Sequence, residues 1–436
     1  MRAPPRCPSR GATRLFSIDP TAGRCNAWEV TVADNLIDYA RWRGDLDFTE
    51  RPFNDVDALV LATLSYIDLV GIVPNEAAGG TVGVGAALGE LLERSGGDVT
   101  PYVRSLATID AGYLKAVAES RRFGRLRIGR YVDVMDHDRA VQFAAVEVLL
   151  PPRSVMGCEG GVRYVSFRGT DLTLAGWRED FMLSFEVTGA QRLAANYLCR
   201  ALEASATAGE PLMAGGHSKG GNLVSYAVAA MPKTLADHLL RCYSFDGPGL
   251  DGRVVERDAR DAIGDRFVRY QPAYSVIGQL FDRADEPRTY VASTGSGMLQ
   301  HDPLTWRVLP SGFVLAGGLD SDAAAFDAAL DEWMGPVDMG ERERFTNEFF
   351  DILSAGGPEL TDVTSREGLP KVMTAANGAS DQTKRLVWKL VECVVAKQAE
   401  RTSDVVRRAY EGVVQSARNA ASGLAVSLPR RQSHAE

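Results

Sequence analysis

The sequence predicts an α/β protein, with a mainly parallel central sheet flanked by helices and helical additions at both ends. Three observations carry this. From about residue 142, short β-rich runs alternate with helical ones. A glycine-rich turn, GHSKGG at 216–221, stands between an apolar strand and a helical pattern. Beyond Pro310, apolar residues recur at the i, i+3, i+4 spacing of amphipathic helices.

The β-rich runs are QFAAVEVLL, VRYVSFRG, PLMAGGHS, RCYSFDG, RFVRYQP and RTYVAST. Gln191 to Glu203 reads as a helix between the second and third, and Leu223 to Ala230 continues a helix after the third. Parallel strands need crossovers of this length, so the alternation implies helices on both faces of the sheet. Upstream, NLIDYARWRGDLDF is followed by DALVLATLSYIDLVGIV, whose length favours helix over strand. Gly83, Gly85 and Gly89 follow a GxGxxxG spacing with no good strand before them. They read as a flexible turn running into a helix, not as a dinucleotide loop.

These patterns divide the chain. Residues 1–29 read as a flexible tail, with five arginines and one acid in the first 26 and no apolar core of signal-peptide type. Residues 30–310 form the main domain, with its core at about 140–310. A helical region follows at 311–427, and 428–436 is a terminal tail. In the helical region, Leu386, Val387, Leu390, Val391, Val394 and Val395 form one apolar stripe. Val405, Val406, Ala409, Tyr410, Val413 and Val414 form a second. Both suit a layer packed on the main domain, or a surface for a partner or a membrane face.

Composition narrows the function. The 436 residues carry a net charge of −9, which argues against a general nucleic-acid binder. The six cysteines are scattered without a CxxC pair, so neither a disulfide framework nor a zinc site is expected. No apolar run approaches the ~18 residues that span a bilayer. A cytoplasmic location follows as an expectation.

The chemistry centres on Gly216-His217-Ser218-Lys219-Gly220, a G-x-S-x-G motif between strand and helix. This is the nucleophile elbow of the α/β-hydrolase fold, which holds a serine hydroxyl out of the sheet on a strained turn. Ser218 is the expected nucleophile, and the Lys219 amide one oxyanion donor. Upstream, VSFRGTD ends a strand, and Thr170 is placed to give a second amide, or its hydroxyl, to the same oxyanion. Arg168 reads as an anchor paired with a carboxylate such as Asp180. Residues from Leu172 to Thr188 suit a lid, with Phe181, Met182, Leu183 and Phe185 on its inner face or in ordinary core packing.

FRGTD, W-x-x-D and GHSKGG together resemble the class 3 lipases over residues 140–305. With NLIDYARWRGDLDF, SFDGPG and QHDPLTW included, the chain more closely resembles a bacterial family of lipase-like α/β-hydrolases over residues 30–310. The base must be one of five histidines: His137, His217, His238, His301 or His434. His301 fits the chain order nucleophile, acid, histidine. The position that the class 3 resemblance implies for the acid holds Ser275, not a carboxylate. Asp246, at the end of the strand that follows the elbow helix, as in pancreatic-type lipases, is one substitute, and Asp282 the other. The expected reaction is hydrolysis of a carboxylic ester or lipid through an acyl-enzyme, with no metal or cofactor. The rival is a non-catalytic binding or scaffold protein of the same fold, which the serine at 275 favours.

Overall fold

The computed structural model describes residues 35–387, apart from 257, 282–285 and 364. Its sheet contains β1 (Thr81–Gly83), β2 (Arg127–Asp136), β3 (Val141–Leu150), β4 (Val162–Phe167), β5 (Leu212–His217), β6 (Leu239–Phe245), β7 (Phe267–Pro272) and β8 (Thr289–Val291). The strands lie side by side in chain order. Pairing is antiparallel from β1 to β4 and parallel from β4 to β8. This is the α/β-hydrolase architecture the sequence predicts.

Side chains on a strand alternate between faces, and here each face has its own core. Before the body of the sheet come α1 (Leu36–Trp42), α2 (Asp55–Thr63), α3 (Val84–Arg94) and α4 (Ala111–Glu119). Between β4 and β5 lie α5 (Leu174–Met182) and α6 (Gly189–Ala208), and α7 (Lys219–Ala230) follows β5. Phe143, Val165, Phe167, Leu212 and Ala214 pack on one face with residues of α6 and α7. Val146, Val148, Tyr164, Met213, Tyr243 and Phe245 pack on the other with residues of α1 to α4.

The N-terminal layer is pinned by a buried ion pair. Arg122 and Asp57 are both fully excluded from solvent, and Arg122 Nη2 meets Asp57 Oδ2 at 2.5 Å. Nε bonds Asp57 Oδ1 at 2.7 Å, while Nη1 and Nη2 donate to the carbonyls of Leu46, Asp47, Arg51 and Pro52. Tyr39 adds its hydroxyl to Asp57 at 2.8 Å. The guanidinium carbon lies 4.0 Å from the Phe48 ring centre. The polar segment around NLIDYARWRGDLDF is therefore a cage for Arg122.

Two features differ from the sequence reading. β1 and β2 precede the first expected strand. Arg127, Arg130, Asp133 and Asp136 break the apolar alternation of β2, and its register shifts between Gly129 and Val132. A short strand therefore does stand before Gly83, but it pairs antiparallel with β2 and does not build a parallel nucleotide-binding unit. Beyond Pro310 the chain also completes a hairpin, β9 (Val308–Leu309) with β10 (Gly312–Phe313), before turning helical.

After the short α8 (Asp258–Asp261), the later helices are α9 (Ser321–Met334), α10 (Met339–Ser354), α11 (Leu360–Val363) and α12 (Gly368–Asn377). Buried Arg342 docks α10 through the carbonyls of Val337 and Ser184, both at 3.0 Å. Phe181 of α5 packs edge-on against Phe350, with ring centres 5.2 Å apart, and near Phe349. The segment read as a lid thus lies under the C-terminal helices. The expected apolar stripes, beyond Leu386 and Val387, fall outside the described residues. No described helix is long and apolar enough to cross a membrane.

Replacing Arg122 with Met would leave the Asp57 carboxylate buried and unpaired. The expected loss is about 3–5 kcal/mol in unfolding free energy, read from the shift of the urea midpoint. A loss below about 1 kcal/mol would show that the pair does not hold the layer.

Candidate active site

Ser218 follows β5 and caps α7 with φ +58° and ψ −132°, a region that non-glycine residues rarely adopt. The turn closes because its neighbours lack side chains. A Cβ on Gly216 would lie 2.3 Å from the Gly220 carbonyl carbon, and one on Gly220 would lie 2.3 Å from the Phe167 carbonyl oxygen. A Cβ on Gly169, in FRGT, would strike the Tyr66 hydroxyl at 2.3 Å and the His217 carbonyl at 2.6 Å. The two motifs thus meet directly at the elbow. Ser218 is half-buried, and its hydroxyl makes no hydrogen bond among the described residues.

The start of α7 is fastened by a buried cation that the sequence reading did not use. Lys219 Nζ donates to Glu179 Oε2 at 3.0 Å, Gln142 Oε1 at 2.7 Å and the Gln142 carbonyl at 3.1 Å. Those contacts use all three ammonium hydrogens. Glu179 in turn accepts the amides of Gln142 at 3.0 Å and Ala190 at 2.7 Å. One ion pair thereby joins β3, α5, α6 and α7. The only sequence signal was opposite charge in the two motifs, K in GHSKGG and E in WRED.

The loop after β4 presents Thr170 beside the elbow. No hydrogen-bond partner is found among the described residues for the amides of Thr170 and Lys219. The Thr170 hydroxyl is engaged, donating to Asp180 Oδ2 at 2.5 Å. Arg168 does not pair with Asp180. It makes a bidentate pair with Asp133 of β2, at 2.8 and 2.9 Å. That partner lies on a strand the sequence pattern concealed. Asp180 Oδ1 is buried without a hydrogen-bond partner. Burial pushes the Asp180 carboxyl up to about 6, opposed by the Lys219 charge and the Thr170 hydrogen bond and aided by Glu179 and Asp171.

His301 arrives on a short 3-10 turn, Gly297–His301. Its Nδ1 lies 2.6 Å from Asp246 Oδ2. Asp246 follows β6 with φ +48° and is fully buried. Its other oxygen accepts the Ser275 hydroxyl at 2.5 Å. The serine at the expected acid position therefore touches Asp246, on the oxygen opposite His301. Asp282, the other candidate, lies outside the described residues. The neighbours of His301 are also tied. The Gln300 carbonyl accepts Trp306 Nε1 at 2.8 Å, and Gln300 Oε1 accepts the Tyr274 amide at 3.0 Å. Asp302 takes the Thr108 amide at 3.0 Å and its hydroxyl at 2.6 Å.

The site therefore brings Ser218, His301, Asp246, Thr170 and Lys219 into one neighbourhood at the strand ends. Among the described residues, no three or more His, Cys, Asp or Glu side chains are placed so that they could hold a metal ion.

A family model described as Mbeg1-like matches residues 117–351, more than half of the chain. The chain belongs to the Mbeg1-like family. That family is lipase-like, as the sequence resemblance implied, and membership supports a lipase- or esterase-like hydrolase in general terms. No curated protein matches this Mbeg1-like chain. Among solved structures it is similar to the crystal structure of M37 lipase, with 14% identity and a TM-score of 0.32. That match covers 52% of this chain and 70% of the other.

Asp180 gives a pH signature. A carboxyl whose native value is raised binds its proton more tightly when folded, so it lowers stability as pH climbs from about 3.8 through about 6. Asp180→Asn should become more stable relative to wild type across that window and hold a constant difference above it. Unfolding free energies at several pH values check this. A difference that does not change between pH 4 and pH 7 would sink it.

Proposed function

We propose that this Mbeg1-like protein is a serine hydrolase of carboxylic esters, with Ser218 as nucleophile, His301 as base and Asp246 as acid. The observation that carries the reading is the Asp246–His301 pair beside a strained elbow. A carboxylate accepts only, so His301 Nδ1 holds the hydrogen and Nε2 keeps the lone pair that a general base needs.

In the proposed reaction, His301 Nε2 takes the Ser218 proton as Oγ attacks the ester carbonyl. Developing negative charge falls to the free amides of Thr170 and Lys219, at the N-terminus of α7. The Asp180–Thr170 bond holds the loop that carries one of these amides. Collapse of the tetrahedral species expels the alcohol, protonated by His301, and leaves an acyl-Ser218. Water, deprotonated by the same histidine, then releases the acid. A free Ser218 hydroxyl is consistent with this, because such bonds often tighten only once substrate is bound.

An apolar acyl group suits the lipase-like family, so an ester or lipid is the proposed substrate class. We place the protein in the cytoplasm, where free thiols such as Cys199 and Cys242 are stable. The scaffold reading drew on the absent acid at 275. It weakens because Ser275 hydrogen-bonds a buried aspartate that already contacts the histidine.

A fluorophosphonate probe tests the assignment. Wild type should be labelled at Ser218, as located by peptide mass mapping. Ser218→Ala and His301→Ala should lose labelling while remaining folded. Asp246→Asn should cut ester turnover by on the order of 10⁴-fold, because it favours the wrong imidazole tautomer. Absence of labelling in folded wild type, or an adduct elsewhere that survives Ser218→Ala, would defeat the proposal.

A further inference from the structure

His301 is partly exposed on its short turn, and the bond to Asp246 fixes only one side of its ring. A second restraint reaches it through the backbone. His217 Nε2 lies 2.8 Å from the His301 carbonyl oxygen. A carbonyl can only accept, so Nε2 carries the hydrogen. Burial, and then the neighbouring His301, hold the His217 imidazole well below its usual range. The ring is therefore neutral, and its Nδ1 is an acceptor.

The donor to Nδ1 is the Tyr66 hydroxyl, 2.8 Å away. The same hydroxyl lies 3.2 Å from the His217 carbonyl oxygen. Tyr66 is fully enclosed and packs edge-on against His217 with ring centres 5.9 Å apart. The His217 and His301 rings lie 4.6 Å apart, tilted by 36°. Tyr66 sits on the turn Leu64–Tyr66 that follows α2, in the N-terminal layer and before the family match begins at residue 117.

We propose that Tyr66 and His217 are positioning residues: a neutral hydrogen-bonded strut, Tyr66 to His217 to the His301 carbonyl, that sets the base over the elbow. The N-terminal layer is then part of the catalytic device, and not only a cover for the sheet. Thr108, from the same layer, braces the adjacent Asp302. This inference rests on the reading of His301 as the base. It assigns to the histidine of GHSKGG a role that packing alone would not give it.

The direction of each bond supplies the test. In His217→Gln, the amide nitrogen can replace Nε2 as donor to the His301 carbonyl. His217→Met fills similar space with no donor. Tyr66→Phe keeps the ring and deletes the hydroxyl. Each variant of the full chain is compared with wild type in folding, in rates of fluorophosphonate labelling and ester hydrolysis, and in the downfield proton resonance of His301 Nδ1.

His217→Met should lower kcat and labelling rate about 100-fold with KM unchanged, the scale of a misplaced catalytic group. Its downfield resonance should broaden or vanish. His217→Gln should recover most of both signals, and Tyr66→Phe should fall between them. A folded His217→Met that matches wild type in rate and resonance, or a Gln variant no better than Met, would overturn the strut. If wild type itself resists the probe, the hydrolase reading fails. The resonance still decides whether His217 holds His301. Should His217→Met not fold, the milder Tyr66→Phe carries the same comparison.

Discussion

The strand order imposes the constraint on which the rest depends. Parallel strands that follow one another in chain order, joined by right-handed crossovers, put every connecting helix on one face. Here α6 and α7 take that face, and the opposite face of β3 to β6 carries Val146, Val148, Tyr164, Met213, Tyr243 and Phe245. Leaving such a surface in water would forfeit much of the apolar burial that stabilises a sheet. The N-terminal helices bury it, and the Arg122–Asp57 cage holds them together internally. The layer also packs directly beneath the strand ends, where β5 delivers Ser218. A segment needed first for burial is thereby brought against the site, and Tyr66 makes contact from it.

The elbow shows how strain is held by its surroundings. Ser218 has a backbone conformation that costs on the order of 1–3 kcal/mol. It persists because Gly216 and Gly220 permit the closure, and because Lys219 cannot leave without abandoning Glu179 in a sealed site. The ion pair is weak evidence for stability as such, since desolvating two charges is costly. Its geometric effect is firmer. Every ammonium hydrogen of Lys219 is committed, so the first turn of α7 and its amides cannot drift relative to β3 and α5.

What could be read from the sequence was mostly local. GHSKGG and FRGTD were legible because a sharp turn forces small residues at fixed spacing, whatever lies around them. The parallel strands from β4 onward were legible because short β-rich runs alternate there with helical patterns. β2 was not, because four charged positions hide a strand whose partners supply half of its logic. Arg168 shows the same limit. Its role as an anchor was visible, but its partner Asp133 sits on that concealed strand. Tyr66 could not be singled out at all, since nothing in LSY distinguishes it from an ordinary core tyrosine until the fold carries it 151 residues along the chain to His217.

The proposed acid illustrates why position in space outranks position in sequence. The class 3 pattern implies a carboxylate after β7, and this chain has Ser275 there. β6 and β7 are parallel neighbours, so their ends lie only about 5 Å apart. An aspartate leaving β6 reaches the same histidine if its backbone turns sideways, and Asp246 does so at φ +48°. Gly278 leaves the room for this, since a Cβ there would lie 2.4 Å from Asp246 Oδ1. Ser275 then supplies the hydrogen bond that a buried carboxylate needs on its second oxygen. The serine that looked like a missing acid is better understood as the hydrogen-bond partner of a buried aspartate at the end of the adjacent strand.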